Sequence, residues 1–314
     1  MINHFMKKIR FTNDIIFNSK KRFLYLSQKG FYKNMDDEEF IKREYFSKEG
    51  KKLNLESPTL LNEKLQWLKL YDHNIKYTYL ADKYEVKNII GKEIGYNYII
   101  PTIKLYNNVE EINLEELPEK FVLKCTHNSC NKLCVCKSKK DFDLKKAKKD
   151  LNKQLKQNYF YNNREWPYKN IKPRIIAEEY ISNKDSSPLV DYKFYCFGGK
   201  PIYFMVSYGE AEHNVRNHKF NMELDSIDYL FKKKPAIPQN EIIIPSNFLE
   251  MKTIVEKLCK GYEHVRIDLY NVDGKIYFGE CTFYTGAGYI NLESKDFANY
   301  LASLIDIRKV RNDD

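Results

Sequence analysis

Apolar and polar positions change period along this chain, and the change divides it. In Leu61-Asn62-Glu63-Lys64-Leu65-Gln66-Trp67-Leu68-Lys69-Leu70-Tyr71 the apolar residues at 61, 65 and 68 fall on one face of a helix. Residues 1–75 read as helical and polar throughout. The stretch 82–91 predicts a further helix closed by its glycine, and 98–101 a short strand. From Phe121 the period becomes that of strands. "FVLKC" and "KLCVCKS" are strand-like runs separated by a six-residue polar loop, and a basic helix follows over roughly 140–158. "RIIAEEYI" (174–181), "DYKFYCF" (191–197) and "PIYFMVSY" (201–208) read as strands, the last two joined by Gly198-Gly199-Lys200. Residues 209–247, with prolines at 235, 238 and 245, read as irregular, and 248–260 as an amphipathic helix. "HVRIDLY" and "KIYFGECTF" form a hairpin across Asn271-Val272-Asp273-Gly274, whose Asp-Gly pair is a strong turn signal. Hairpins with intervening helices predict antiparallel α+β layers, not a doubly wound parallel sheet.

With 314 residues, 43% of them hydrophobic, the chain is long enough for a sizeable core and for more than one subdomain. No apolar run approaches the ~20 residues of a membrane span, and the N-terminal residues lack the apolar stretch of a secretory signal. Cytoplasmic residence is the expectation. A formal charge of +10 favours anionic partners: nucleic acid, nucleotide phosphates, acidic sugars or anionic membrane surfaces. The basic residues are scattered; their densest runs, KKAKK at 145–149 and KKK at 232–234, read as solvated faces. Seven cysteines, an odd number without framework spacing, read as free thiols in a reducing compartment.

Four of those cysteines lie in "KCTHNSCNKLCVC", residues 124–136. A structural zinc knuckle wraps its ion with C-x2–4-C pairs on turns. Cys134 and Cys136 in one strand point the same way and wrap nothing, and no second pair follows at suitable spacing. A Cys/His nucleophile would need His127 beside Cys125 or Cys130. Small residues filling a half-buried sheet account for 134 and 136 best. The loop has a third reading: a lysine followed by a short Thr/His/Asn/Ser hairpin, whose charge, amides and hydroxyls can cover a triphosphate.

Alternation in "VRIDLY" puts Arg266 and Asp268 on one strand face, and in "YFGECTF" Glu280 and Thr282 share a face. Counted outward from the turn, Asp268 and Glu280 sit at matched depth, where opposed side chains lie ~5 Å apart. Two carboxylates that close repel unless a cation lies between them. Magnesium with phosphate oxygens would serve, as would a cross-strand Arg-Asp-Glu salt-bridge network.

The ordered set "LNEKLQWLKLYD", "LADKYEVKNII", "LPEKFVLKCTHNS", "IKPRIIAEEYI", "DYKFYCFGGKP" and "VRIDLYNVDGKIYFGECTFYTGAG" resembles the TupA-like branch of the ATP-grasp superfamily, linked to teichuronopeptide-type surface polysaccharides. The resemblance covers about residues 60–310. It implies an α+β ATP-grasp architecture, two α+β subdomains holding ATP between antiparallel sheets, with a helical N-terminal region. The implied divisions are a helical extension at 1–60, an N-terminal subdomain portion at 61–115, a central phosphate-loop subdomain at 116–182 and a C-terminal subdomain with the metal site at 183–314. It also implies ATP and magnesium as cofactors. Lys83 and Lys124 would hold phosphates, and Thr126, His127, Asn128 and Ser129 would form the covering loop. Glu178 and the backbone of Glu179, Tyr180 and Ile181 would read adenine, and Asp191 would contact ribose. Asp268 and Glu280, with Thr282 in a lesser role, would bind the metal. Arg266 would meet the acyl phosphate, with Lys193 nearby on the same face as Asp191. Many relatives have glycine where this loop has Asn128 and Cys130; cysteine tolerates left-handed backbone poorly, which implies a stiffer loop.

The activity implied is ATP-dependent joining of a carboxylate, on a uronic acid of a cell-surface polysaccharide or its nucleotide-sugar precursor, to a small amine. A glycosyltransferase or a kinase-like enzyme of the same pathway is the alternative. Nucleic acid is not an expected partner, because Asp191, Asp268 and Glu280 would repel a phosphate backbone. No membrane span is expected, and peripheral association with envelope-biosynthesis machinery is.

Overall fold

The change of period in the sequence becomes a change of layer in the computed structural model, which describes residues 15–129, 133–208, 215–232 and 237–311. The N-terminal part is helical: α1 (Ser19–Gln28), α2 (Asp37–Glu49), α3 (Leu61–Tyr71), α4 (Ile75–Ala81) and α5 (Glu85–Ile94). Local chemistry sets their ends. Asp36 caps α2 by accepting the Glu39 amide at 3.0 Å, three acidic residues fill its first turn, and Gly50 ends it at φ 77°.

Two antiparallel sheets follow. The first contains β1 (Thr102–Tyr106), β2 (Phe121–Cys125), β3 (Cys134–Cys136) and β4 (Ile175–Glu179), in the order β1-β4-β2-β3. Between β3 and β4 run α6 (Leu144–Leu155) and the short α7 (Phe160–Asn163). The second sheet contains β5 (Val190–Phe197), β6 (Lys200–Tyr208), β7 (Arg216–Asn221), β8 (His264–Val272) and β9 (Lys275–Thr282), in the order β7-β6-β5-β8-β9. Helix α8 (Phe248–Leu258) precedes β8, and α9 (Lys295–Leu304) and α10 (Ile307–Arg311) follow β9.

Each sheet has its own core. Phe121, Leu123, Ile175 and Ala177 pack with Leu151 of α6. Phe194, Phe204, Val265 and Ile267 pack with Phe248, Met251 and Val255 of α8, in a cluster that also takes in Leu65, Leu68, Val86 and Ile90 from α3 and α5. Because side chains alternate along a strand, burying one face leaves the other for chemistry.

The antiparallel α+β layers are as expected, and three local readings are corrected. The strand expected at 98–101 begins later, at Thr102; Tyr96–Tyr98 is a 3-10 turn, and Pro101, which has no amide to donate, precedes the strand. The helix expected at 82–91 is shifted to Glu85–Ile94. Asp82 accepts the Tyr84 amide at 2.8 Å, and Gly95, not Gly91, ends it. Gly91 lies inside the helix because the Tyr96 ring presses on it: a Cβ there would sit 2.5 Å from Tyr96 Cδ1. Within the stretch read as irregular lies β7, whose sequence "RNHKFN" lacks the β-branched run that marks a strand.

The cysteines go where the packing reading put them. Cys136 faces Phe121 and Cys134 faces Leu123 across β2–β3, on the core side, while Leu133 and Val135 face the opposite side. Burial pushes the Cys125 thiol up to about 12 and the Cys134 thiol to about 11, far from thiolate chemistry at neutral pH. Among the described residues no group of three or more His, Cys, Asp or Glu side chains is placed to hold a metal. Cys130 and Asn131 of the loop, and Lys233 and Lys234 of the second basic run, lie outside the described residues.

Candidate active site

The face of the second sheet turned away from its apolar core carries the charges. Strand pairing sets Lys193 opposite Asp268, Asp191 opposite Tyr270, and Asp268 opposite Glu280. The register shifts by one residue next to Asp268, so that Gly279 is the extra residue of a β-bulge. A side chain would be crowded here: a Cβ at 279 would sit 3.0 Å from the Asp268 carbonyl oxygen and 3.1 Å from the Tyr270 ring. This bulge keeps Glu280 level with Asp268 instead of turned to the other face.

Arg266 closes the group. Its Nε donates to Asp268 Oδ1 and its Nη2 to Asp268 Oδ2, both at 2.6 Å, and Nη2 also donates to Glu280 Oε1 at 2.8 Å. Lys193 Nζ donates to Asp268 Oδ2 at 3.2 Å and also pairs with Asp191. Asp191 Oδ1 is buried and has no hydrogen-bond partner among the described residues. Burial pushes the Asp191 carboxyl up, and the Lys193 ammonium beside it works the other way.

A second set of cations faces these carboxylates from the first sheet and α5. Glu178 on β4 is flanked by Lys124 at 2.5 Å and Lys87 at 2.7 Å. Burial raises the Glu178 carboxyl, but the two ammonium groups outweigh it and hold the group below its usual range. Lys83, before α5, donates from Nζ to the Asn128 carbonyl at 2.5 Å. The two walls feel each other: burial would raise Glu280, yet Lys83, Arg266, Lys193 and Lys124 together hold it down at about 2. It stays ionised at any physiological pH.

Between the walls lies a cleft of about 890 Å³. Seven lysines and arginines and four carboxylates line it, a net positive bias that suits a polyanion. Leu133, Val135, Met205 and Phe278 supply an apolar zone in the same space.

Of the residues singled out from sequence, Lys83, Lys124, Ser129, Glu178 and Tyr180 line the cleft from one side, and Asp191, Lys193, Arg266, Asp268 and Glu280 from the other. Others stand apart. Thr126, His127 and Asn128 are buried behind the cleft wall, at 0%, 2% and 2% exposure. His127 turns away, with Nε2 at 3.2 Å from the Gln154 carbonyl and 3.1 Å from that of Gln157, which makes it an anchor between the loop and the end of α6. Glu179 points to solvent, Ile181 is outside the cleft lining, and Thr282 donates to Glu280 Oε1 at 3.4 Å. Sequence reasoning missed Lys87. Its signal was its spacing, four residues after Lys83, which places two lysines on one side of a helical turn.

The donor set fits magnesium. Asp268 and Glu280 offer hard oxygen ligands on paired strands, suited to an ion that completes its shell with phosphate oxygens and water, while without an ion Arg266 and Lys193 engage both Asp268 oxygens in the cross-strand salt-bridge network that was the other expectation.

Two antiparallel sheets face each other across a charged cleft, the arrangement expected of an ATP-grasp protein. The chain belongs to the TupA-like ATP-grasp family, whose model matches residues 63–306. No curated protein matches it. Among solved structures, it is similar to the D-alanine–D-alanine ligase of Bacillus anthracis complexed with ATP (14% identity, 75% of this chain and 68% of that one, TM-score 0.40). It is also similar to the D-alanine–D-alanine ligase of Helicobacter pylori (17%, 72% and 61%, 0.39) and to the D-cycloserine synthetase DcsG (12%, 74% and 71%, 0.41). At such scores the likeness is loose, and the family match carries the assignment.

Proposed function

We propose that this protein is an ATP-dependent carboxylate–amine ligase, acting on the carboxylate of an acidic sugar in a cell-surface polysaccharide or its precursor. The observation that supports it most is the meeting of two walls: Asp268 and Glu280 paired across β8–β9, facing Lys83 and Lys124.

The reaction joins anions, so its demands are electrostatic. The substrate carboxylate oxygen forms a bond to the γ-phosphorus as the bond to the β-phosphate oxygen breaks, releasing ADP and leaving an acyl phosphate. The amine nitrogen then bonds to the acyl carbon; inorganic phosphate leaves, and the amine proton passes to solvent. Lys83 and Lys124 hold the triphosphate, with Lys87 and Glu178 fixing Lys124 in place. Ser129, the loop residue that lines the cleft, would reach the phosphates. Asp268 and Glu280 would hold magnesium, which would supply positive charge to neutralise the phosphates. Arg266, already poised between both carboxylates, turns its guanidinium to the acyl phosphate, and Lys193 steadies Asp191 and Asp268.

The test is incubation with ATP, magnesium, uronate-bearing sugars and an amine library, read by ADP release and mass spectrometry. The expected outcome is ADP with an amide product that requires both substrates. ADP formed without any amine would indicate a phosphotransferase, and a nucleoside diphosphate released from a sugar nucleotide without ATP a glycosyltransferase; either contradicts the ligase reading.

A further inference from the structure

The chain's positive charge is not spread evenly. Its first 34 residues contain eight lysines and arginines against one acidic residue, Asp14, and so hold +7 of the formal +10. This imbalance exceeds that of either dense basic run, although it is spread among aromatics.

Within the described part of this segment, α1 sorts its residues by face. Phe23 and Ser27 are buried against the rest of the protein. At helical spacing on the other side, Asn18, Lys21, Arg22, Gln28 and Lys29 are exposed. Apolar groups stand at both ends of this stripe: Ile16 is 53% exposed, Phe17 83% and Phe31 72%. Phe31 is informative. Gly30 at φ 78° ends α1 with its amide on the Ser27 carbonyl, and the Phe31 amide reaches the Leu26 carbonyl at 3.1 Å. In such a helix end the residue after the glycine normally packs back on the last turn. Here the ring is directed into solvent.

Lys20 lies over the Phe46 ring, Lys29 over Tyr25 and Lys33 over Tyr161, while Arg22 donates to the Ile16 carbonyl. Among the described residues none of these four meets a carboxylate. The acidic residues at the start of α2 are engaged elsewhere: Glu38 with Lys42, Glu39 with Arg43, and Asp37 with Arg164.

We propose that the outer face of α1, with Phe17 and Phe31 at its ends, docks on an anionic lipid bilayer surface. Cations fit the headgroup phosphates, and rings without hydrogen-bonding groups fit the acyl boundary below them. Nucleic acid fits less well, because the stripe lies on a convex helix, not in a groove that could track a phosphate backbone. This inference is independent of the ligase reading.

The test is co-sedimentation of the full chain with vesicles of phosphatidylcholine alone or with about one third phosphatidylglycerol. Binding at least about tenfold tighter to the anionic vesicles, lost at high salt, is expected. The triple charge reversal Lys21→Glu, Arg22→Glu, Lys29→Glu should remove that preference. Phe17→Ser with Phe31→Ser should weaken binding several-fold at low salt, with the thermal midpoint unchanged. Lys145→Glu, Lys146→Glu, Lys149→Glu makes the same charge change on α6 and should leave binding nearly intact. The proposal is overturned if wild type does not prefer anionic vesicles, or if the α6 reversal weakens binding as much as the α1 reversal. It is equally overturned if the phenylalanine pair has no effect, or if an oligonucleotide binds more tightly than the vesicles.

Discussion

Replacing Arg266 by methionine probes the charged face most sharply. The guanidinium makes two bonds to Asp268 and one to Glu280, and Asp268 is only 1% exposed. Taking away the positive partner of a buried carboxylate costs about 3–5 kcal/mol. Lys193 remains on Asp268 Oδ2 at 3.2 Å and compensates in part, which puts the loss near the lower end, about 3 kcal/mol. Adding Asp268→Asn removes the stranded charge and should return about 1–2 kcal/mol, so the two changes are strongly non-additive. The assay is urea unfolding in a metal chelator, followed by tryptophan fluorescence. Trp67 is a suitable reporter, since it is buried in the same cluster as the second sheet. Equal denaturant slopes among the variants secure the comparison. A loss below about 1 kcal/mol for Arg266→Met, or additive losses in the double variant, would refute the reasoning that Arg266 neutralises the buried Asp268 carboxylate.

Three other outcomes follow from the geometry. Lys124→Met should weaken ATP binding by about tenfold or more in a fluorescent-nucleotide titration while the fold persists, because Lys87 still pairs Glu178; unchanged affinity would remove Lys124 from the phosphate site. Gly279→Ala should cost about 1–3 kcal/mol and weaken magnesium affinity by forcing β9 from Asp268, whereas Gly274→Ala, with nothing within 4 Å of its Cβ, should leave the cation site untouched; equal magnesium affinities would contradict the bulge argument. Burial raises Glu165 to about 7 against the pull of Lys69, so the folded state binds its proton more tightly and stability falls as pH rises from about 4.5 toward 7. Glu165→Gln should therefore be more stable than wild type by about 1–3 kcal/mol at pH ~8, with the difference vanishing near pH ~5; a pH-independent difference would exclude the assignment.

Much of this was legible in sequence wherever a period of two met a turn. The hairpin of β8 and β9 was readable because Asp273-Gly274 fixes the turn and "VRIDLY" alternates strictly, though regular counting from that turn sets Asp268 against Gly279 and only the bulge brings Glu280 opposite it. The bulge at Gly279 was not, since a lone glycine in a strand does not announce which way it shifts the register. The Thr126–Asn128 stretch was read as part of a phosphate-covering loop because it is polar, but the carbonyls at the end of α6 draw His127 inward. Residues 216–221 hid a strand because burial there is polar: Lys219 pairs with Asp228 at 2.9 Å, a tertiary contact no local pattern encodes. Lys87 was overlooked for a similar reason, its partner Glu178 being 91 positions away.

Anomalous diffraction from crystals grown with manganese and a non-hydrolysable ATP analogue tests the central claim most directly. The account predicts a manganese peak in contact with both Asp268 and Glu280, and the triphosphate of the analogue beneath Lys83 and Lys124. A nucleotide bound outside the cleft, or a metal peak that touches neither carboxylate, would contradict it.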